Sequence, residues 1–215
     1  MRVPQLPAAL HWSHNTYYHR WLLKQVPIRP SRVLDAGCGS GKLACILAAR
    51  AAHVDAVDVS PLMIERGRTR CPAQVNVNWL VGDLVDPHLP LTHGGYDAVV
   101  AVSSVHHMPL RSTLSRLADL VAPGGVLAIV GLYRPVTITD HVLQVVAMPA
   151  NAAVGAVCAL SGRADKSDDA DMPVRPPENT LAQVRAAADE MLPGAHLRRA
   201  VFWRYLMLWR RPPSF

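Results

Sequence analysis

The chain has little charge, and two side chains are nearly missing. Only 18% of its 215 residues are charged; among 22 basic residues the only lysines are Lys24, Lys42 and Lys166, and among 16 acidic ones the only glutamates are Glu65, Glu178 and Glu190. So few charges beside 50% hydrophobic residues exclude a self-repelling, unfolded chain and imply an interior large for this length. Cysteine is scarce as well. Cys38, Cys45, Cys71 and Cys158 form no CxxC pair and no metal-ligand spacing, which excludes a stapled or zinc-held fold and predicts reduced thiols, no metal and a cytoplasmic protein. No basic start followed by a long apolar stretch opens the chain, so no export signal is expected. Long hydrophobic runs are wanting too. Residues 141–162 carry no Asp, Glu, Lys or Arg, but Gln144, Pro149, Asn151 and Gly155 interrupt them, and a membrane span needs about 20 continuous apolar residues.

What is present fits one domain able to bury its own core. The formal net charge is +6, a balance that can mark a nucleic-acid or acidic-membrane partner. Here the arginines are spread along the chain, a pattern that more often follows genome composition than function. The periodicity alternates between strand-like and helix-like. Residues 15–26 place Tyr18, Trp21, Leu22 and Val26 on one helical face, ended by Pro27 and Pro30. A short buried strand at 32–35 runs through a glycine turn into a helix over 42–52. The next strand is 53–59, with Ser60 as N-cap and Pro61 at the first helical position. Near-continuous apolar runs at 75–81 and 97–102 suit parallel strands covered on both faces. Leu110, Leu114, Leu117 and Val121 line a helix that stops before Pro123, and 126–132 makes a fifth strand. Strand and helix in alternation mean parallel pairing through right-handed crossovers. Beyond Tyr133 this pattern breaks. Thr180 with Gln183 signals a capping box, and the last residues read as two short strands that pair antiparallel at a sheet edge.

The segment VLDAGCGSG at 33–41 is an apolar strand ending in an acid and a triple-glycine turn, where glycine permits positive φ and close approach of a ligand. A dinucleotide GxGxxG needs glycine at 42, which is Lys42. A phosphate-cradling GxxxxGK[ST] needs glycine at 36 and a hydroxyl at 43, but the chain has Ala36 and Leu43.

The remaining D-x-G-x-G-x-G form resembles that of class I S-adenosylmethionine-dependent methyltransferases, in the small-molecule branch similar to the ubiquinone/menaquinone-biosynthesis enzymes, over most of residues 17–135. The resemblance implies an α/β, doubly wound, Rossmann-like sheet of seven strands in the order 3-2-1-4-5-7-6, strand 7 antiparallel, with helices on both faces. It divides the single domain 1–215 into an N-terminal helical cover (1–30), a cofactor-binding core (31–135), a lid or insertion (136–177) and a C-terminal helix and strand pair (178–215). The implied cofactor is S-adenosylmethionine, with S-adenosylhomocysteine as product. Asp35 matches the acid that orders the methionine end, and Gly37 and Gly39 the glycines that give its backbone room. Asp58 matches the acid that holds both ribose hydroxyls, and Asp83 the one beside the adenine amino group. Tyr18, Cys38, Val59, Met63, Gly82, Leu84 and Ser103 complete the implied cofactor shell. Two acids keep a second reading: Asp58 as a helix N-cap and Asp83 as a turn cap.

After the fourth strand, Ser103-Ser104-Val105-His106-His107-Met108 resembles the LHHL-type segment of this branch. Ligands of open α/β sheets bind beyond the carboxyl ends of the strands. A neutral imidazole of His106 or His107 can take a proton from a hydroxyl or amine nucleophile; the alternative is that one packs on the helix and the other closes the pocket floor. His14, Tyr17, His106 and His141 are the expected acceptor-side residues, His14 and Tyr17 within a cluster from His11 to His19. The 141–162 run lies where the family inserts its lid and suggests a greasy or aromatic acceptor, a dimer surface or a membrane-surface contact. A small-molecule acceptor ranks above nucleic acid because no (Asp/Asn)-Pro-Pro-(Tyr/Phe) run follows the fourth strand. A cofactor-binding protein without turnover is the other alternative.

Overall fold

A computed structural model describes residues 14–71, 76–140 and 175–214. Among the described residues the strands β1 (Arg32–Ala36), β2 (His53–Asp58), β3 (Val77–Val81), β4 (Tyr96–Val102), β5 (Val121–Leu132), β6 (His196–Ala200) and β7 (Arg204–Arg210) are interspersed with helices. The helices are α1 (His14–Gln25), α2 (Lys42–Ala48), α3 (Pro61–Arg70), α4 (Leu110–Leu120) and α5 (Leu181–Met191). The strands form one sheet in the order 3-2-1-4-5-7-6. β1 to β5 pair in parallel, and β7 runs antiparallel to both β5 and β6. This is the order that the resemblance implies.

Period-two alternation in the central strands builds two cores. Leu34, Ala36, Val99, Ala101, Leu127 and Ile129 point to the face covered by α4 and α5. Val33, Ala98, Val100, Val126, Ala128 and Val130 point to the face covered by α1 and α2. Leu34 and Leu127 are fully buried, so cutting either to alanine costs about 2–5 kcal/mol. One acid lies inside this apolar pattern. Asp55 in β2 is buried, and its carboxylate accepts from Arg32 Nε at 2.8 Å, Asn78 Nδ2 at 2.8 Å and the Tyr96 hydroxyl at 2.7 Å, so the charge is compensated.

Local signals set several element ends. Ser60 Oγ accepts from Met63 N ahead of α3, and Thr180 and Gln183 form the reciprocal capping box of α5. α2 is shorter than its pattern suggests, ending at Ala48. The chain must turn there, because Ala52 N donates to Pro30 O and His53 N to Ser31 O as β2 begins. β5 starts earlier than expected, at Val121, with the Pro-Gly-Gly segment bulged out between the Tyr96↔Val121 and Ala98↔Val126 pairings. Val75 lies outside the described residues, and β3 begins at Val77. The thiols are a correction: Cys45 and Cys71 form a disulfide and Cys38 is free. Helical packing, not sequence spacing, makes this pair, since α2 and α3 set the two cysteines side by side. Among the described residues, no helix is long and apolar enough to cross a membrane and no cluster of metal-ligating side chains occurs. Of the 136–177 segment, residues 141–174 lie outside the described residues.

Candidate active site

The carboxyl ends of β1, β2 and β4 meet over the glycine turn, as strand order in an open parallel sheet dictates. Gly37 and Gly39 both adopt positive φ, +75° and +52°. Asp58 braces the turn from the end of β2: Oδ2 accepts from Gly39 N and Oδ1 from Ser60 N, each at 2.9 Å. The N-cap of α3 is Ser60 and not Asp58; Asp58 instead holds the N–H of that cap residue while it stands against the glycine turn. Gly82 N donates to Asp58 O at 3.0 Å, which brings the end of β3 alongside.

Asp35, at the end of β1, is buried, and its Oδ2 has no hydrogen-bond partner among the described residues. Burial, followed by the Asp58 charge, pushes its carboxyl up to about 7, while a hydrogen bond from Ala44 N at the start of α2 acts the other way. A buried, unsatisfied carboxylate oxygen is costly, and here it borders a cleft walled by Asn15, Thr16, Asp35, Gly37, Cys38 and Gly39. Cys38 lies in the same wall, its thiol pushed far up by burial and by the Asp35 and Asp58 carboxylates, so it stays protonated and unreactive.

The other sequence-derived positions separate into groups. Asp83 is exposed after β3, and its Oδ1 accepts from Val85 N at 3.1 Å. Val59 is exposed beyond Asp58, whereas Met63 and Leu84 are buried in the packing beneath. Tyr18 is placed away from the cleft. It lies in the core, and its hydroxyl donates to Val201 O at 2.8 Å. Tyr17 is exposed, with its ring edge-on to Tyr18 and Phe202. The side chain of His14, and all of His141 and residues 11–13, lie outside the described residues.

Ser103, His106 and His107 follow β4. Ser103 has φ +52°, a conformation costly for a residue with a Cβ. The His106 and His107 ring centroids lie 4.0 Å apart, with the ring planes tilted by 39°. Burial, then the neighbouring His107, lowers His106 to about 4; burial, then Arg175, lowers His107 as well. His106 Nδ1 is buried with no hydrogen-bond partner among the described residues.

Seven cleft residues escaped the sequence-derived cofactor set: Ser40, Lys42, Leu43 and Val102 around the glycine turn, and Asn15, Thr16 and His19 of α1. The last three fall within the 11–19 cluster expected on the acceptor side, but α1 turns them toward the glycine turn. A larger hollow of about 570 Å³ opens at the amino ends of β1 to β3, where Arg32 and Asn78 already satisfy Asp55.

The family described as a methyltransferase domain matches residues 33–125. An uncharacterised methyltransferase of Mycobacterium tuberculosis is 36% identical over 203 residues, which cover 94% of this chain and 98% of that protein. A ubiquinone biosynthesis O-methyltransferase of Xylella fastidiosa is 30% identical over 128 residues, 59% of this chain and 51% of that one. The solved structure of the magnesium protoporphyrin IX methyltransferase of Synechocystis, with S-adenosylhomocysteine bound, shares the fold with a TM-score of 0.58 at 21% identity, covering 91% of this chain and 80% of that one.

Proposed function

The chain belongs to the class I S-adenosylmethionine-dependent methyltransferases, and from that premise we propose that it methylates a small, apolar or aromatic molecule presented to His106 and His107. The observation that carries this reading is the imidazole pair: centroids 4.0 Å apart, both lowered in pKa, with Nδ1 of His106 buried and unsatisfied among the described residues. A neutral imidazole with a vacant nitrogen can hold or accept a proton at an acceptor's hydroxyl. The ubiquinone biosynthesis O-methyltransferase among the relatives supports an acceptor of this kind, and the SSVHHM segment after β4 lacks the Asn-Pro-Pro run of nucleic-acid amino-methylating enzymes.

The residues present fit the cofactor. Asp35 Oδ2 stands ready for an ammonium group, Gly39 carries no side chain to hold a ligand off the backbone, and Asp58 is the carboxylate for a vicinal diol, its second lone pairs remaining after it braces Gly39 and Ser60; the space beside Gly37 is taken by Ser104. Asp83 keeps one carboxylate oxygen free of the turn bond to Val85 and would lie by the adenine. When bound, the cofactor supplies an electrophilic methyl group on a sulfonium. The chain's own part is then to hold the acceptor in line and exclude water, which can supply most of the acceleration, with His106 or His107 taking the proton.

The test is a screen for S-adenosylhomocysteine release with hydroxylated aromatic and quinol-like acceptors beside transfer RNA and duplex DNA. Turnover with members of the first group is expected. Turnover on nucleic acid alone would overturn the reading.

A further inference from the structure

Asn15, in the first turn of α1, is fixed from two directions. Its Oδ1 accepts from Ser103 Oγ and from Arg204 Nη2, each at 2.8 Å. A guanidinium only donates, so the Arg204 contact decides which end of the amide is oxygen and removes the usual ambiguity of an asparagine. Arg204 is itself anchored: it is buried at the start of β7, Nη1 donates to Phe202 O at 3.0 Å, and the guanidinium lies 5.9 Å from the Tyr18 ring centre. Ser103 holds its positive φ within the same cluster. The ends of β4 and β7 thus grip the oxygen of one amide on α1. The Nδ2 end, with two N–H donors, has no hydrogen-bond partner among the described residues, and Asn15 is part of the cleft wall that includes Asp35.

The glycine turn explains why such a donor matters. Its own N–H groups are largely committed: Gly37 N and Cys38 N both donate to Val57 O at 2.8 Å, Gly39 N to Asp58 Oδ2 at 2.9 Å and Gly41 N to Cys38 O at 3.0 Å. An anionic ligand group entering beside Asp35 therefore meets a carboxylate and few free backbone donors. A zwitterionic amino-acid head resolves this. Its ammonium satisfies the orphaned Asp35 Oδ2, and its carboxylate needs a donor from another wall, which α1 provides.

We propose that Asn15 Nδ2–H donates to the α-carboxylate of the methionine part of S-adenosylmethionine, so that Asp35 and Asn15 together recognise the zwitterionic head. This rests on the cofactor assignment made above. The Ser103 and Arg204 contacts pre-orient the amide, so little rotamer freedom is lost when it binds, and the loop that carries His106 and His107 is joined through Ser103 to the residue that reads the cofactor.

Asn15→Asp isolates the donor, because it keeps oxygens for Ser103 and Arg204 and replaces the N–H groups with a negative charge. Binding is measured calorimetrically with S-adenosylhomocysteine and with 5′-methylthioadenosine, which shares the nucleoside but lacks the amino-acid head. The expected result is at least a tenfold loss of S-adenosylhomocysteine affinity in the variant, with methylthioadenosine affinity changed by less than twofold and the urea midpoint of the free protein unchanged. Unchanged S-adenosylhomocysteine affinity overturns the assignment. An equal loss for both ligands also overturns it, since it makes Asn15 a shaper of the cleft and not a reader of the head. If the parent protein binds neither ligand, the cofactor assignment itself fails.

Discussion

A Cβ built on Gly37 would stand 2.2 Å from the Cβ of Ser104, while Ser104 Oγ donates to Ala36 O at 2.7 Å. The loop after β4 therefore rests directly on the glycine turn, with no room between them. Gly37→Ala meets both this contact and a φ of +75° and should cost about 2–5 kcal/mol in urea unfolding. Gly124→Ala is the control. Its φ is similar, +77°, but nothing lies within 4 Å of the added atom, so it should lose only about 1–2 kcal/mol. Equal losses at the two positions would contradict the close packing.

The Asp35 carboxyl, raised to about 7 by burial and by Asp58, titrates near 3.9 in an unfolded chain. Between about pH 4 and pH 7 the folded state therefore holds more protons, so Asp35 makes stability fall as pH rises, by at most about 1.4 kcal/mol per unit, and the effect levels off above pH 7. Asp35→Asn should remove this slope when unfolding free energies of variant and parent are compared at pH 5, 6 and 7. The same proton opposes an ammonium ligand. S-adenosylhomocysteine should bind the parent about tenfold more tightly at pH 8 than at pH 6, and a flat profile would rule out an ionised Asp35 as the ammonium partner.

With His106 lowered to about 4, its imidazole is neutral through the range where most assays run. Turnover should show no loss between pH 8 and pH 6 from protonation of His106. If His106 or His107 is the proposed base, its replacement by alanine should lower kcat by about 10²–10⁴, with cofactor affinity unchanged in the same preparation. Full activity in both His106→Ala and His107→Ala would leave positioning alone to account for the rate.

The Cys45–Cys71 disulfide joins α2 to the end of α3 across a sequence separation of 26. Next to it, Arg70 Nε donates to Ser40 O in the glycine turn at 3.0 Å. Reduction by a dithiol, or Cys45→Ala with Cys71→Ala, should cost about 3 kcal/mol and weaken S-adenosylhomocysteine binding as the turn loses its support. An unchanged unfolding midpoint after complete reduction would show that the bond adds nothing.

Much of the fold was legible because its determinants are local. Alternating apolar residues in β1, β4 and β5, the Ser60 and Thr180 caps and the glycine turn are each contained in a few consecutive residues. The strand order came from the resemblance and not from periodicity. Helical spacing put Tyr18 on a face with Leu22 and Val26, and the resemblance put it in the cofactor shell; the structure buries it in the core, with its hydroxyl donating to Val201 O. What stayed hidden depends on residues far apart in sequence. The Asn15 and Arg204 partners are 189 residues apart and meet only because β7 inserts between β5 and β6. The positive φ of Ser103 and the Cys45–Cys71 pairing likewise follow from packing, for which no short motif exists.

The central claim is that the turn braced by Asp58 is the cofactor site, and a calorimetric titration with S-adenosylhomocysteine tests it most directly. The parent should bind one molecule per chain. Asp58→Ala, with its fold verified by unfolding, should bind at least about a hundredfold more weakly through loss of the charged acceptor for the ribose. Parental affinity in Asp58→Ala, or no binding by the parent, would contradict the account.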